Sequence, residues 1–229
     1  EQWATWTRHI LENQSPENVA RWRQQAALPY DRLPDEDRAK DRAWARRALE
    51  AIAATTDGTV LEGKHLRLVK RRGWECVERN RASGIVAVLA VTPGGGVLLV
   101  EQFRPPVGRR VIEIPAGLAG DIERAEGEAL ADAARRELVE ETGYEAGRME
   151  WLGEGPASAG LCDEIITFFR AHELRRVAEG GGDADEEIRV HEVPLGALMR
   201  WCGERRKEGF LVDYKVYAAL WMSGEWHSA

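Results

Sequence analysis

Cysteine is scarce in this sequence. Cys76, Cys162 and Cys202 are scattered and odd in number, which excludes a disulfide framework and a zinc-type spacing. Such usage suits a reducing cytosol and predicts a cytoplasmic protein. Excess positive charge is missing too. Lys and Arg number 32 against 39 Asp and Glu, a formal net charge of −7, which argues against nonspecific nucleic-acid binding by the whole chain. No apolar run approaches the length of a membrane span, and no signal-peptide pattern opens the sequence. What is present fits a folded protein: 229 residues, 44% hydrophobic and 31% charged. That is enough for one large domain or a domain with an appendage, and disorder is not the default.

The pattern of residues divides the chain into a helical module over residues 1–56 and an α/β domain over 57–229. Ser15-Pro16 is an N-cap followed by proline at the first helical position, predicting a helix to about Ala27. Leu28-Pro29-Tyr30 breaks it. A second helix runs from Pro34 to about Ala54, with Trp44, Ala48, Leu49 and Ile52 as an apolar stripe and five basic residues between Arg38 and Arg47. Thr55-Thr56-Asp57-Gly58 reads as a turn-like linker.

Beyond it, strand signals dominate. Residues 66–69 and 75–78 read as a hairpin. Ile85 to Val91 is an unbroken apolar run, expected of a buried central strand. The turn Thr92-Pro93-Gly94-Gly95-Gly96 and the run Val97–Val100 predict a β-hairpin with it. Further strands fit 111–114, 149–152, 164–169 and 188–193, and helices fit about 126–142 and 213–222. A mixed sheet flanked by helices is an α/β sandwich.

The strongest chemical signal lies in the helix at 126–142. Arg136-Glu137-Leu138-Val139-Glu140-Glu141-Thr142-Gly143 places Glu137, Glu140 and Glu141 at i, i+3 and i+4. On a helix these share one face, where three negative charges repel unless a cation binds between them. Hard cations such as Mg²⁺ or Mn²⁺ favour all-oxygen ligands of this kind. A solvated acidic helix face is the alternative for these few residues alone. Gly143 is a natural left-handed cap.

From Glu128 onward this segment resembles the Nudix box, with Tyr144 in place of the last aliphatic residue. The front half departs from it: about five residues separate Gly117 from its expected place, as though a polar loop had been inserted between Gly117 and Glu128. Val100-Glu101-Gln102-Phe103-Arg104, Glu113-Ile114-Pro115-Ala116-Gly117, Ser158–Glu164, the acidic run Asp183–Glu187 and Asp213-Tyr214-Lys215 extend the resemblance over about residues 60–222. Within the superfamily, the ADP-ribose pyrophosphatase group is the most similar. The proline that marks that group downstream of the box is here Ala159. Separately, Pro29-Tyr30-Asp31-Arg32-Leu33 with Lys40-Asp41-Arg42 resembles the helical element of ryanodine-receptor repeats. A helical cap on the catalytic domain or on a dimer partner is the plainer reading of that segment.

The resemblance implies a Nudix α/β/α sandwich with a mixed sheet, preceded by the small helical module. It implies Mg²⁺- or Mn²⁺-dependent hydrolysis of the pyrophosphate bond of a nucleoside diphosphate derivative, with ADP-ribose cleaved to AMP and ribose 5-phosphate as the leading expectation. Another nucleoside diphosphate sugar of the GDP-mannose type, or a non-catalytic nucleotide sensor, are the alternatives. Metal ligands would be Glu137, Glu140, Glu141, the backbone carbonyl of Ala116 and Glu186. Glu186 is also the choice for general base, with Asp183, Asp185 and Glu187 competing and a flexible surface loop as the bland reading. Arg104, Glu113 and Glu164 would bind substrate. Guanidinium matches phosphate, although Arg104 also reads as a surface arginine before two prolines, and Glu164 as a strand-edge acid. Arg136 is expected to pair with Glu128. Trp74, Phe103 and Phe168 are candidates for base stacking or core, and His172 and His191 for bystanders. The implied partners are a small nucleotide and a second subunit in a homodimer, with no nucleic acid and no membrane.

Overall fold

The computed structural model describes residues 30–40, 42–43, 45–46, 58–80, 82–120, 127–182 and 187–229. The chain forms two compact units, residues 1–58 and 59–229. In the first, Tyr30–Arg32 form a 3-10 turn, and residues 35–40, 42–43 and 45–46 are helical. Arg38 N donates to Pro34 O at 3.0 Å, so the helix begins where proline fits a first turn. The helix predicted over 15–27 and the stripe at Trp44, Ala48, Leu49 and Ile52 lie outside the described residues.

From Gly58 onward the chain forms a three-stranded sheet, β1 (Gly58–Glu62), β2 (Leu66–Arg71) and β3 (Trp74–Arg79), in that order. Arg72 and Gly73 both take positive φ, 51° and 79°, as a two-residue hairpin between twisted strands requires. Two four-stranded sheets follow. One has the order β10 (Arg189–Pro194), β5 (Gly96–Arg104), β6 (Arg109–Glu113), β11 (Leu211–Val212); the other β7 (Ala116–Ala119), β4 (Gly84–Ala90), β9 (Ile165–Arg176), β8 (Tyr144–Pro156). Both sheets are mixed, with parallel pairs β6/β11 and β4/β9. The helices are α1 (Leu130–Thr142), α2 (Leu198–Lys207) and α3 (Tyr214–Ser223).

The hairpin expected between β4 and β5 does not form. The turn closes locally, through Thr92 N to Gly96 O at 2.8 Å and a single bridge between Val91 and Val97. The strands then part into different sheets. Each has its hydrogen-bonding edges taken by other partners, β4 by β7 and β9, β5 by β10 and β6. Both also bury both faces. Ala87, Leu89, Val97 and Leu99 enter a core completed by Val216, Ala219 and Leu220 of α3 and Leu198 and Cys202 of α2. Val86, Val88, Ala90 and Leu98 enter a second core against Ala133, Ala134 and Leu138 of α1. Each fully buried aliphatic side chain contributes about 2 kcal/mol. Sheets with α1 on one side and α2 and α3 on the other make the α/β/α sandwich.

Helix α1 starts at Leu130, later than the 126 expected. Glu128 is held in the loop before it, accepting from Gly120 N at 3.4 Å and from Arg136. The helix ends as expected: Gly143 takes φ 76° and donates its N–H to Val139 O at 2.8 Å.

Candidate active site

Helix α1 and strand β7 face each other across the site. Glu141 is buried, 4% exposed, and its Oε2 accepts from the N–H of Ala116 at 3.1 Å. Ala116 directly follows Pro115, whose carbonyl accepts from Val88 N at 2.8 Å, so β4 anchors this turn. Gly117 comes next and leaves room for the carboxylate of Glu137.

Arg136 organises the remaining acids. Its Nη1 reaches Glu137 Oε1 at 2.8 Å and Glu140 Oε2 at 3.0 Å, while its Nη2 donates to Leu118 O at 2.8 Å. Nε and Nη2 each lie 3.2 Å from an oxygen of Glu128. The expected pairing with Glu128 is therefore present and is one part of a larger hub. Burial of Arg136 disfavours its charge, but the Glu128 hydrogen bond and the charges of Glu137 and Glu140 outweigh this and raise its pKa. The hydrogen bond from Arg136 in turn holds the Glu128 carboxyl below its ordinary value, against some burial and with help from Gly120 N–H.

A cavity of about 870 Å³ opens beside these groups. Its walls bring together Arg104, Glu113, Ala116, Glu137, Glu140, Glu141 and Glu164, whereas Glu187 is exposed beside Arg110 at 3.7 Å and does not line it. Glu186, with residues 183–185, lies outside the described residues. Arg104 and the buried Glu113 face each other from β5 and β6 and form a two-point fork, Nε to Oε1 at 3.0 Å and Nη2 to Oε2 at 2.5 Å. Glu164 accepts from Arg79 Nε at 2.5 Å.

The cavity wall also holds residues to which the sequence assigned no role: Arg79, Gln102, Tyr214 and Lys215. The signal for the last two was Asp213-Tyr214-Lys215, which carried the resemblance without a role for either residue. Asp213 does cap α3, accepting from Lys215 N at 2.7 Å, and it also holds Lys215 Nζ at 2.5 Å. Nothing in the sequence marked Arg79. Of the aromatic candidates, Phe168 is core, and Trp74 and Phe103 are exposed away from the cavity wall. His172 contacts Glu150 at 2.6 Å. His191 contacts Glu101 at 2.8 Å and lies against Trp201.

The acids on this wall are carboxylates, the hard-oxygen chemistry that divalent cations select. Among the described residues, no three His, Cys, Asp or Glu side chains converge at metal-binding distance. Glu137 and Glu140 are turned to Arg136 and Glu141 to Ala116 N–H, so the acids share one cavity while each is held by a hydrogen-bond donor of the chain. The donor type fits a divalent ion; the acids would have to turn from these partners to hold one.

Comparison with known proteins agrees with this architecture. Residues 81–218 match the model of the NUDIX domain family. The chain is 43% identical over 136 residues to an ADP-ribose pyrophosphatase of Bacillus subtilis (strain 168), a match covering 57% of this chain and 71% of that one. It is 39% identical over 141 residues to a methanol dehydrogenase activator of Bacillus methanolicus, covering 61% and 71%. A crystal structure of an ADP compounds hydrolase superposes with a TM-score of 0.52 at 19% identity, over 74% of this chain and 90% of that one; this likeness shows the fold. The family match and the similarity to a pyrophosphatase make this chain a pyrophosphohydrolase. The chain belongs to the Nudix family, whose enzymes work on small nucleotide substrates with divalent metal ions. Among the described residues, no helix is long and apolar enough to cross a membrane.

Proposed function

We propose that this chain hydrolyses the pyrophosphate bond of ADP-ribose to AMP and ribose 5-phosphate, with Mg²⁺ or Mn²⁺. The observation that carries this reading is the convergence of Arg104, Glu113, Glu137, Glu140, Glu141 and Glu164 on one cavity, in a chain similar to an ADP-ribose pyrophosphatase.

Glu137, Glu140, Glu141 and the carbonyl of Ala116 would hold the ion. It supplies charge neutralisation of the diphosphate and a lowered pKa of bound water. The other roles belong to the chain. Arg104, anchored on Glu113 through Nε and Nη2, orients a phosphate oxygen with its other guanidinium N–H groups and aligns the phosphorus for attack. Glu113, buried behind Arg104, fixes the orientation of the guanidinium. Glu186 takes the proton from the attacking water. Glu164 accepts a hydrogen bond from a sugar hydroxyl. Arg136 bridges Glu137 and Glu140 and offsets their charge.

The proposal extends to a cytoplasmic homodimer, with residues 1–56 as an accessory helical module to the hydrolase domain over 57–229. The test of the activity is phosphate-coupled turnover of ADP-ribose, GDP-mannose, UDP-glucose, NADH and diadenosine polyphosphates, each with Mg²⁺, Mn²⁺ or EDTA. Metal-dependent cleavage of ADP-ribose far above the rest is expected. Preference for GDP-mannose would move the substrate and leave the reaction standing. Binding of ADP-ribose in EDTA without turnover in Mg²⁺ would replace the enzyme with a sensor.

A further inference from the structure

A second, smaller hollow of about 210 Å³ is lined by Arg79, Ala82, Ser83, Gly84, Ile85, Asp163, Glu164 and Ile165. Arg79, Ile85 and Glu164 also line the main cavity. The hollow is thus a recess of that cavity, with the Arg79–Glu164 pair at the boundary.

The pair is built into place. Strand β3 is fastened to the segment 158–164 at three points: Trp74 Nε1 to Gly160 O at 3.1 Å, Val77 N to Leu161 O at 2.8 Å, and Arg79 Nε to Glu164 Oε1 at 2.5 Å. Arg79 and Glu164 are mostly covered, with side chains 35% and 21% exposed. Ligand sites for drug-sized molecules span roughly 300–1,000 Å³, so a recess of about 210 Å³ takes a single ring. Its polar groups are two carboxylates, a guanidinium and a hydroxyl, and its described lining includes no aromatic side chain. Bases are usually held by stacking on aromatic rings. Paired hydroxyls are what carboxylate acceptors satisfy. The cavity's aromatic residue, Tyr214, is absent from the recess lining.

We propose that this recess binds the sugar ring beyond the diphosphate, and that Arg79 is a specificity-determining residue that holds Glu164 oriented toward the ring hydroxyls. The proposal rests on the diphosphate-hydrolase reading. It predicts tolerance of one sugar and rejection of a second nucleoside in its place.

The experiment measures ribose 5-phosphate and AMP binding by calorimetry, alongside ADP-ribose kinetics, for the wild-type chain, Arg79→Met and Arg79→Lys. Loss of a charge-assisted contact implies about a tenfold effect. Arg79→Met should weaken ribose 5-phosphate at least about tenfold and leave AMP within about twofold. KM for ADP-ribose should rise about tenfold, with kcat falling less than about threefold. Arg79→Lys should recover part of the affinity, which a misfolded variant would not do. Equal weakening of AMP and ribose 5-phosphate, or no change in either, would overturn the proposal, as would failure of the wild-type chain to bind ribose 5-phosphate. If the wild-type chain cleaves no diphosphate, the hydrolase reading fails visibly, and the calorimetry still decides the recess.

Discussion

Gly117 lies so close to Glu137 that a methyl group at Gly117 would meet the Glu137 Cδ at 2.0 Å and either oxygen at 2.2 Å. Strand β7 therefore forms a cradle for a carboxylate of α1, and only glycine leaves space for it. Gly117→Ala should push Glu137 off its position. The atoms met are the far end of a flexible side chain, so the shift costs little stability, but misplacing a ligand that stabilises developing charge costs about a hundredfold in kcat. Circular dichroism with steady-state kinetics checks this. A folded variant with near-normal turnover would show that Glu137 is not needed where it stands.

Arg136 serves Glu128, Glu137, Glu140 and the carbonyl of Leu118 at once. Arg136→Met would leave Glu128 and Glu137, with side chains 14% and 12% exposed, without this cation. Breaking a fully buried pair costs about 3–5 kcal/mol; partial exposure lowers the expectation to about 2–3 kcal/mol. Arg136→Lys keeps the charge and loses the fork, so it should recover less than half of that loss. Urea unfolding of the three proteins measures it. A loss under about 0.5 kcal/mol in Arg136→Met would refute the hub.

Glu101 gives a pH-dependent stability. It is 2% exposed, accepts from Arg110 Nε at 2.6 Å, contacts His191 Nε2 at 2.8 Å and lies 3.7 Å from Arg189. Burial pushes its carboxyl up. Hydrogen bonds from His191 and Arg110, with the charges of Arg110 and Arg189, outweigh this and hold it below the ordinary 4.5. The unfolded chain thus takes up this proton at a higher pH than the folded one. The stabilisation is complete above about pH 4.5 and fades as pH falls through the lower folded value. Arg110→Met should be less stable at pH 7 and lose less on acidification to about pH 4 than the wild type. Parallel acid limbs for the two proteins would exclude the assignment.

The acidic face of α1, its Gly143 cap and most strands were legible because each is written in local spacing. Glu137, Glu140 and Glu141 announce a helix face, and Ile85–Val91 a buried strand. The parting of β4 and β5 was not legible, since a Pro-Gly-rich turn reads alike whether its strands pair or separate. Helix α2 went unread because it buries few apolar side chains, Leu198 and Cys202, beneath a run of Arg, Glu and Lys. Arg79 was invisible for a different reason. Its partner Glu164 is 85 residues away, and only the fastening of β3 to the segment 158–164 brings them together.

Glu141 offers the cleanest separation of structure from chemistry. Its Oε2 accepts from Ala116 N–H inside the protein, and Gln at this position keeps both the shape and an acceptor oxygen while removing the charge. Glu141→Gln should therefore fold and melt like the wild type in EDTA. Its kcat should fall at least about two orders of magnitude. A ligand that binds the folded state raises its stability in proportion to occupancy, so Mg²⁺ or Mn²⁺ should raise the melting temperature of the wild type more than that of the variant. Scanning calorimetry at graded metal concentration, paired with turnover, tests both. Equal metal-induced shifts would place the ion elsewhere, and a low melting temperature in EDTA would make Glu141 a structural acid first.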